Sequence, residues 1–173
     1  MAVDVYISEE KIQARIKELG EQITKDFNGE EVTVVGVLNG AFMFVADLIR
    51  AMDLPVVMEF IKASSYGDGT VSKGKVDITL DIQKDIKGKN VLVVEDIVDT
   101  GLTLTGLLED FKQRDPKNLK LASLLFKPAR CQHKVNIDYL GFEIEDKFVI
   151  GYGLDYAGKY RELPFIGVYS EDF

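Results

Sequence analysis

Apolar residues at helical spacing open the chain. Ile12, Ile16, Leu19, Ile23 and Phe27 recur every three or four residues, which gathers them on one face of a helix, and Ser8 stands ahead of them as a candidate N-cap. The β-branched run Val32 to Leu38 reads as a strand broken by Asn39-Gly40. Ala41 to Met52 predicts a second apolar helix that stops ahead of Pro55, and Val56 to Ile61 predicts another strand. From Ala63 to Lys75 the chain is polar and rich in glycine and serine, the composition of a mobile surface loop. Val76 to Ile82 alternates apolar with polar, as a half-exposed strand does. Val91 to Val94 is apolar on both faces, the mark of a central parallel strand. Helical spacing returns at Leu104, Leu107, Leu108 and Phe111, and Leu119 to Phe126, Phe148 to Tyr152 and Phe165 to Tyr169 predict further strands. Strands alternating with helices indicate an α/β fold built on a mostly parallel sheet.

Composition narrows the picture. The 173 residues, 46% hydrophobic and 29% charged, suit one globular domain with a sizeable core. A single cysteine, Cys131, rules out an internal disulfide. The formal net charge of −8 argues against a nucleic-acid groove or an anionic membrane surface, although backbone dipoles or a metal ion can still favour a small anion locally. The apolar tract Val32 to Ile49 is interrupted by Gly36, Asn39, Gly40 and Asp47, too often to span a bilayer. The start, MAVDVYISEE, lacks a basic segment followed by an apolar one. The expectation is a soluble, cytoplasmic, reduced protein that contacts neither nucleic acid nor membrane. His133 is the only histidine, so no zinc spacing is present, and Cys131 has no evident base partner.

The informative stretch is Val91 to Leu104. A buried strand runs into two adjacent carboxylates, Glu95 and Asp96, then through Ile97-Val98 into Asp99-Thr100-Gly101-Leu102-Thr103 and a helix. Open α/β sheets bind ligands at the carboxyl ends of their strands. Backbone N–H groups and hydroxyls at a helix N-terminus suit a phosphate. Ionised carboxylates only accept hydrogen bonds, so an adjacent pair suits a ribose diol or a Mg²⁺ shared with the ligand. A ribose 5-phosphate satisfies all of these residues, its diol at Glu95 and Asp96 and its phosphate at Thr100 to Thr103. The plainer alternative is a solvated strand end with Asp99 capping the helix.

This run resembles the hallmark of the phosphoribosyltransferase family, which binds phosphoribosyl pyrophosphate (PRPP). Val37 to Phe44 resembles that family's pyrophosphate loop, and Ser65-Tyr66 matches the lid pair of its hypoxanthine-guanine branch. Phe126-Lys127 and Asp146 to Tyr156 resemble that branch's purine-binding hood, with Arg161 following at the spacing of a pyrophosphate-contacting arginine. The resemblance covers roughly Val34 to Val168. It departs at Asn39, where many relatives carry lysine, and at Leu102, a position often basic.

The resemblance implies a type I phosphoribosyltransferase fold: a parallel-sheet core over about 30–130, and a small hood from the N-terminal segment and about 131–173. It implies transfer of phosphoribosyl from PRPP to N9 of hypoxanthine, guanine or xanthine, in purine salvage. Asp99 is then the proton acceptor near N7. Glu95, Asp96, Asp99, Thr100, Gly101, Leu102 and Thr103 bind PRPP or nucleotide. Leu38, Asn39, Gly40 and Arg161 hold pyrophosphate, and Ser65 and Tyr66 form the lid. Lys127, Phe148, Val149 and Leu154 bind the purine, and Glu95, Asp96 and Asp155 hold Mg²⁺. An ammonium at Lys127 donates to a 6-oxo group and cannot accept from adenine's amine. A cis Leu38–Asn39 bond and assembly as a homodimer or homotetramer are implied in the same way. The rivals are a xanthine-preferring enzyme, a non-catalytic PRPP- or nucleotide-binding regulator of the same fold, and a dinucleotide binder. The last lacks a G-x-G-x-x-G after a strand and has only the fragment Gly151-x-Gly153.

Overall fold

The computed structural model describes residues 2–65 and 75–170. Ser8 caps the first helix as expected, its hydroxyl accepting from Lys11 N–H at 3.3 Å. That helix, α1 (Glu9–Phe27), follows a first strand, β1 (Ala2–Ile7). All five apolar residues of its predicted face are buried, each contributing roughly 1.5–3 kcal/mol relative to exposure. Then come β2 (Val32–Val37), α2 (Phe42–Arg50), β3 (Val56–Ser65), β4 (Val76–Leu80), β5 (Asn90–Val98), α3 (Leu102–Gln113) and β6 (Asn118–Phe126). A 3₁₀ turn, Pro128–Arg130, leads to β7 (Tyr139–Glu143), β8 (Val149–Ile150) and β9 (Ile166–Ser170).

Six strands form the main sheet in the order β4-β3-β2-β5-β6-β7, parallel except for the β3–β4 pair. Alternate residues face opposite sides. Val32, Val34, Leu92 and Val94 pack with α1 and α2, while Val35, Val37, Val91 and Val93 pack with Leu104, Leu107 and Phe111 of α3. Helices therefore cover both faces of a parallel-dominated α/β sheet. A second, antiparallel sheet of three strands, in the order β1-β9-β8, joins the two ends of the chain. Among the described residues no helix is long and apolar enough to cross a membrane.

Several boundaries differ from the sequence expectation. Ala63, Ser64 and Ser65 belong to β3 rather than to a loop, because β4 supplies their partners: Ala63 pairs with Ile78, Ser64 with Asp77 and Ser65 with Val76. Tyr66 and the rest of that segment to Gly74 lie outside the described residues. The predicted strand Phe148 to Tyr152 is reduced to Val149–Ile150, after which Gly151 and Leu154 bond to each other across a tight turn. The main sheet runs on to Tyr139–Glu143 and α1 packs against it.

Register locates the crevice. The β2–β5 pairing ends at Gly36–Val94, whereas β5 continues beside β6 as far as Val98–Phe126. From β2 the chain proceeds through α2 to β3 on one side, and from β5 through α3 to β6 on the other. The gap between the ends of β2 and β5 is thus the topological switch point, where open α/β sheets bind ligands.

Candidate active site

Glu95 and Asp96 lie within β5, not beyond it, on the stretch where β2 no longer flanks the strand. Asp96 N–H donates to Glu95 Oε1 at 3.0 Å, and Ile97 N–H donates to Asp96 Oδ1 at 2.7 Å. Burial and the like charge of Asp96 push the Glu95 carboxyl well above the usual carboxylate range. Facing Asp96 is the loop that follows β2, where the Leu38–Asn39 peptide is cis. A Cβ on Gly40 would overlap the Asp96 carboxylate; only glycine lets loop and acid approach this closely.

The turn after β8 closes the other side of that loop, with Gly153 packed on the Gly40 carbonyl. Arg161 donates to the Gly153 carbonyl at 2.6 Å and pairs with Asp155 at 3.2 Å, and Gly153 N–H donates back to the Arg161 carbonyl at 2.9 Å. Asp155 also accepts from Gly158 N–H at 2.8 Å. Residues far apart in sequence, Asp96, Gly40, Gly153, Asp155 and Arg161, thus form one chain of contacts.

Past β5, residues 99–103 line a cavity of about 140 Å³ together with Glu95. The chain enters α3 through Gly101, whose φ is +82°, and Leu102 N–H reaches Thr100 Oγ1 at 3.4 Å. Asp99 does not cap this helix; its Oδ1 accepts from Arg130 Nε at 2.7 Å. A larger hollow of about 280 Å³ between α3, β6 and residues 134–138 contains none of the expected site residues.

Lys127, 7% exposed, sits where β6 ends, with its Nζ 3.7 Å from Asp146. Phe148 is 52% exposed and so does not serve as core. Its ring makes T-shaped contacts with Tyr156 at 5.9 Å and with Tyr169 at 6.1 Å. Val149 lies on β8, the outer strand of the small sheet, and Leu154 is buried beside it. Ser65 closes β3 opposite Val76. Sequence reasoning passed over Arg130 and gave Asp146 no role of its own within the hood stretch; together they link Asp99 to Lys127. The signal was a basic residue three positions after Lys127, one 3₁₀ turn away.

Among the described residues no three carboxylate, histidine or cysteine side chains cluster as a closed metal cage. A hard divalent cation such as Mg²⁺ does not need one, since it keeps waters and takes one or two carboxylates plus ligand oxygens. The adjacent Glu95 and Asp96, the first pushed up by burial and by its neighbour's charge, fit that donor set.

Known proteins align over nearly the whole chain. A family model described as a phosphoribosyl transferase domain matches residues 4–157. The hypoxanthine phosphoribosyltransferase of Haemophilus influenzae is 49% identical over 168 residues, covering 95% of this chain and 94% of that protein. The hypoxanthine-guanine phosphoribosyltransferase of Bacillus subtilis is 47% identical over 164 residues, covering 95% and 91%. A crystal structure of a hypoxanthine-guanine phosphoribosyltransferase from Bacillus anthracis superposes with a TM-score of 0.92 at 51% identity, covering 96% of this chain and 98% of that one.

Proposed function

The chain belongs to the phosphoribosyl transferase family, and on that premise we propose that it carries phosphoribosyl from PRPP to N9 of a 6-oxopurine, releasing pyrophosphate, as part of purine salvage. The observation that carries this reading is the acidic end of β5 running into the 99–103 cavity at the switch point.

Backbone N–H groups from Thr100 to Thr103 hold the 5-phosphate at the start of α3. Glu95 and Asp96 accept from the ribose hydroxyls and hold Mg²⁺, with Asp155 as a further ligand. Mg²⁺, when bound, supplies positive charge against the departing pyrophosphate. Asn39 and Gly40 present backbone N–H groups to the pyrophosphate, and Arg161 adds a bidentate donor; the Leu38 N–H, expected to join them, is taken by the Ile61 carbonyl at 2.9 Å, so Leu38 shapes the loop instead. As N9 attacks the anomeric carbon, the base must lose a proton, and Asp99 accepts it near N7. Lys127 donates to the 6-oxo oxygen, Phe148 stacks on the purine face against Leu154, and the free backbone edge of Val149 meets the base. Assembly as a homodimer or homotetramer and a cytoplasmic location go with the same reading.

Incubation with PRPP, Mg²⁺ and each purine in turn tests it. Nucleotide should form with hypoxanthine and guanine and not with adenine. PRPP binding without nucleotide formation from any purine would make the protein a regulator, and turnover of xanthine alone would reassign its substrate.

A further inference from the structure

Asp99 does not face the crevice alone. Arg130 Nε donates to its Oδ1 at 2.7 Å, and both side chains are close to half exposed. An ion pair that open adds little stability by itself. Its placement is nevertheless tightly built, and the building is done by backbone. Where β6 ends, Lys127 N–H donates to the Val98 carbonyl at 3.0 Å. The chain turns through Pro128–Arg130, and Arg130 N–H donates to the Lys127 carbonyl at 3.2 Å. It then docks again, with Gln132 and His133 N–H both donating to the Thr100 carbonyl at 3.1 and 3.0 Å. The His133 carbonyl rests against Gly101, where a Cβ would collide with it. The two anchors, Val98 and Thr100, are the chain neighbours of Asp99. The turn that carries Arg130 is therefore tied to the backbone on both sides of the carboxylate it meets.

The other side of the guanidinium meets Asp146 at 3.9 Å, and the same Asp146 oxygen lies 3.7 Å from Lys127 Nζ. Arg130 thus stands between two carboxylates, one of which also holds the buried ammonium. A planar guanidinium offers donors in fixed directions, unlike an ammonium, and here one donor fixes one oxygen of Asp99.

We propose that Arg130 is a positioning residue for Asp99: by occupying Oδ1 it sets the rotation of the carboxylate and leaves Oδ2 to the purine. This rests on Asp99 being the proton acceptor. The carboxylate torsion of an aspartate is broad and nearly two-fold, so without Arg130 the productive orientation becomes one among several. The loss then falls on turnover rather than on PRPP binding.

The test measures kcat and KM for Arg130→Gln and Arg130→Lys, each alone and in an Asp99→Asn background. Arg130→Gln should lower kcat about tenfold, the scale of a modest misplacement of a reacting group, and leave the KM for PRPP unchanged. Arg130→Lys, which keeps the charge but not the fixed fork, should recover part of the loss; it also serves if the glutamine variant fails to fold. In the Asp99→Asn background neither substitution should lower kcat further. The same factor lost in both backgrounds would mean a structural role and overturn the proposal, as would full turnover in Arg130→Gln. Intact turnover in Asp99→Asn alone would remove the proton-acceptor assignment and Arg130's role with it, a pattern distinct from failure of Arg130 by itself.

Discussion

Asp47 on α2 and Glu95 on β5 are both partly buried carboxylates, and the molecule treats them oppositely. Asp47 gathers donors: the Tyr152 phenol, Gln13 Nε2 at 3.1 Å, and the Arg50 guanidinium. Burial on its own would raise it, but these donors outweigh burial and hold the carboxyl below its ordinary range. Through them α1, α2 and the turn after β8 are fastened together. Glu95 has burial as well, but its neighbour is Asp96, a second negative charge, and the carboxyl is driven up instead. The first acid is finished by the protein. The second is not, and on the function proposed above a ligand or cation completes it, in keeping with such conflicts gathering at functional sites.

Substitutions should separate the two regions. The largest effect belongs to the crevice: Asp99→Asn should lower kcat at least ~100-fold, typical of a lost proton acceptor, and move stability by less than about 0.5 kcal/mol, as exposed substitutions do. Steady-state kinetics beside a thermal melt reads both. A melt that falls with the turnover would make Asp99 structural and erase the contrast.

Asp47→Asn should do the reverse, removing about 1–2 kcal/mol of stability through the charge-assisted bonds to Tyr152 and Arg50. The sign with pH follows from the direction of its shift. A carboxyl held lower in the folded state than in the unfolded one stabilises above its unfolded pKa, near the ordinary 3.8, and that contribution is lost as pH falls through the folded value. Melts of the natural protein and of Asp47→Asn should therefore differ at pH 7, begin to approach each other as pH falls below about 4, and meet only below the lowered folded value. A constant difference across that range would show that the charge of Asp47 does no structural work.

Much of this was legible in the chain. The apolar face of α1 and the doubly apolar Val91–Val94 obey simple periods, and both are buried as written. The acidic run announced the crevice because two carboxylates at a buried strand end make little sense without a ligand. What stayed hidden depends on partners remote in sequence. β1 is short and pairs with β9 at the far end of the chain. Ala63 to Ser65 look like loop until β4 pairs with them. Phe148 lies in an apolar stretch but stands exposed, its ring in T-shaped contact with Tyr156 and Tyr169 further along the chain. Arg130 and Asp146 look like ordinary surface charges, and only the backbone docking of residues 127–133 brings the arginine to Asp99.

The smallest effect probes the conflict itself. Glu95→Gln removes one of two adjacent negative charges from a site where burial already disfavours ionisation. The amide oxygen still accepts from Asp96 N–H, and its NH₂ gains the means to donate toward the Asp96 carboxylate. In the absence of divalent cations the variant should be more stable than the natural protein by about 1 kcal/mol, the usual gain when a functional conflict is relieved. Turnover should fall, because the same substitution takes a negative charge from the cation and an acceptor from the ribose. Adding Mg²⁺ with PRPP should then raise the melting temperature of the natural protein more than that of the variant, since a ligand stabilises in proportion to how well it binds the folded state. If Glu95→Gln instead melted lower than the natural protein without cations, the ionised Glu95 would be as well supported as Asp47, and the two acids would no longer differ in kind.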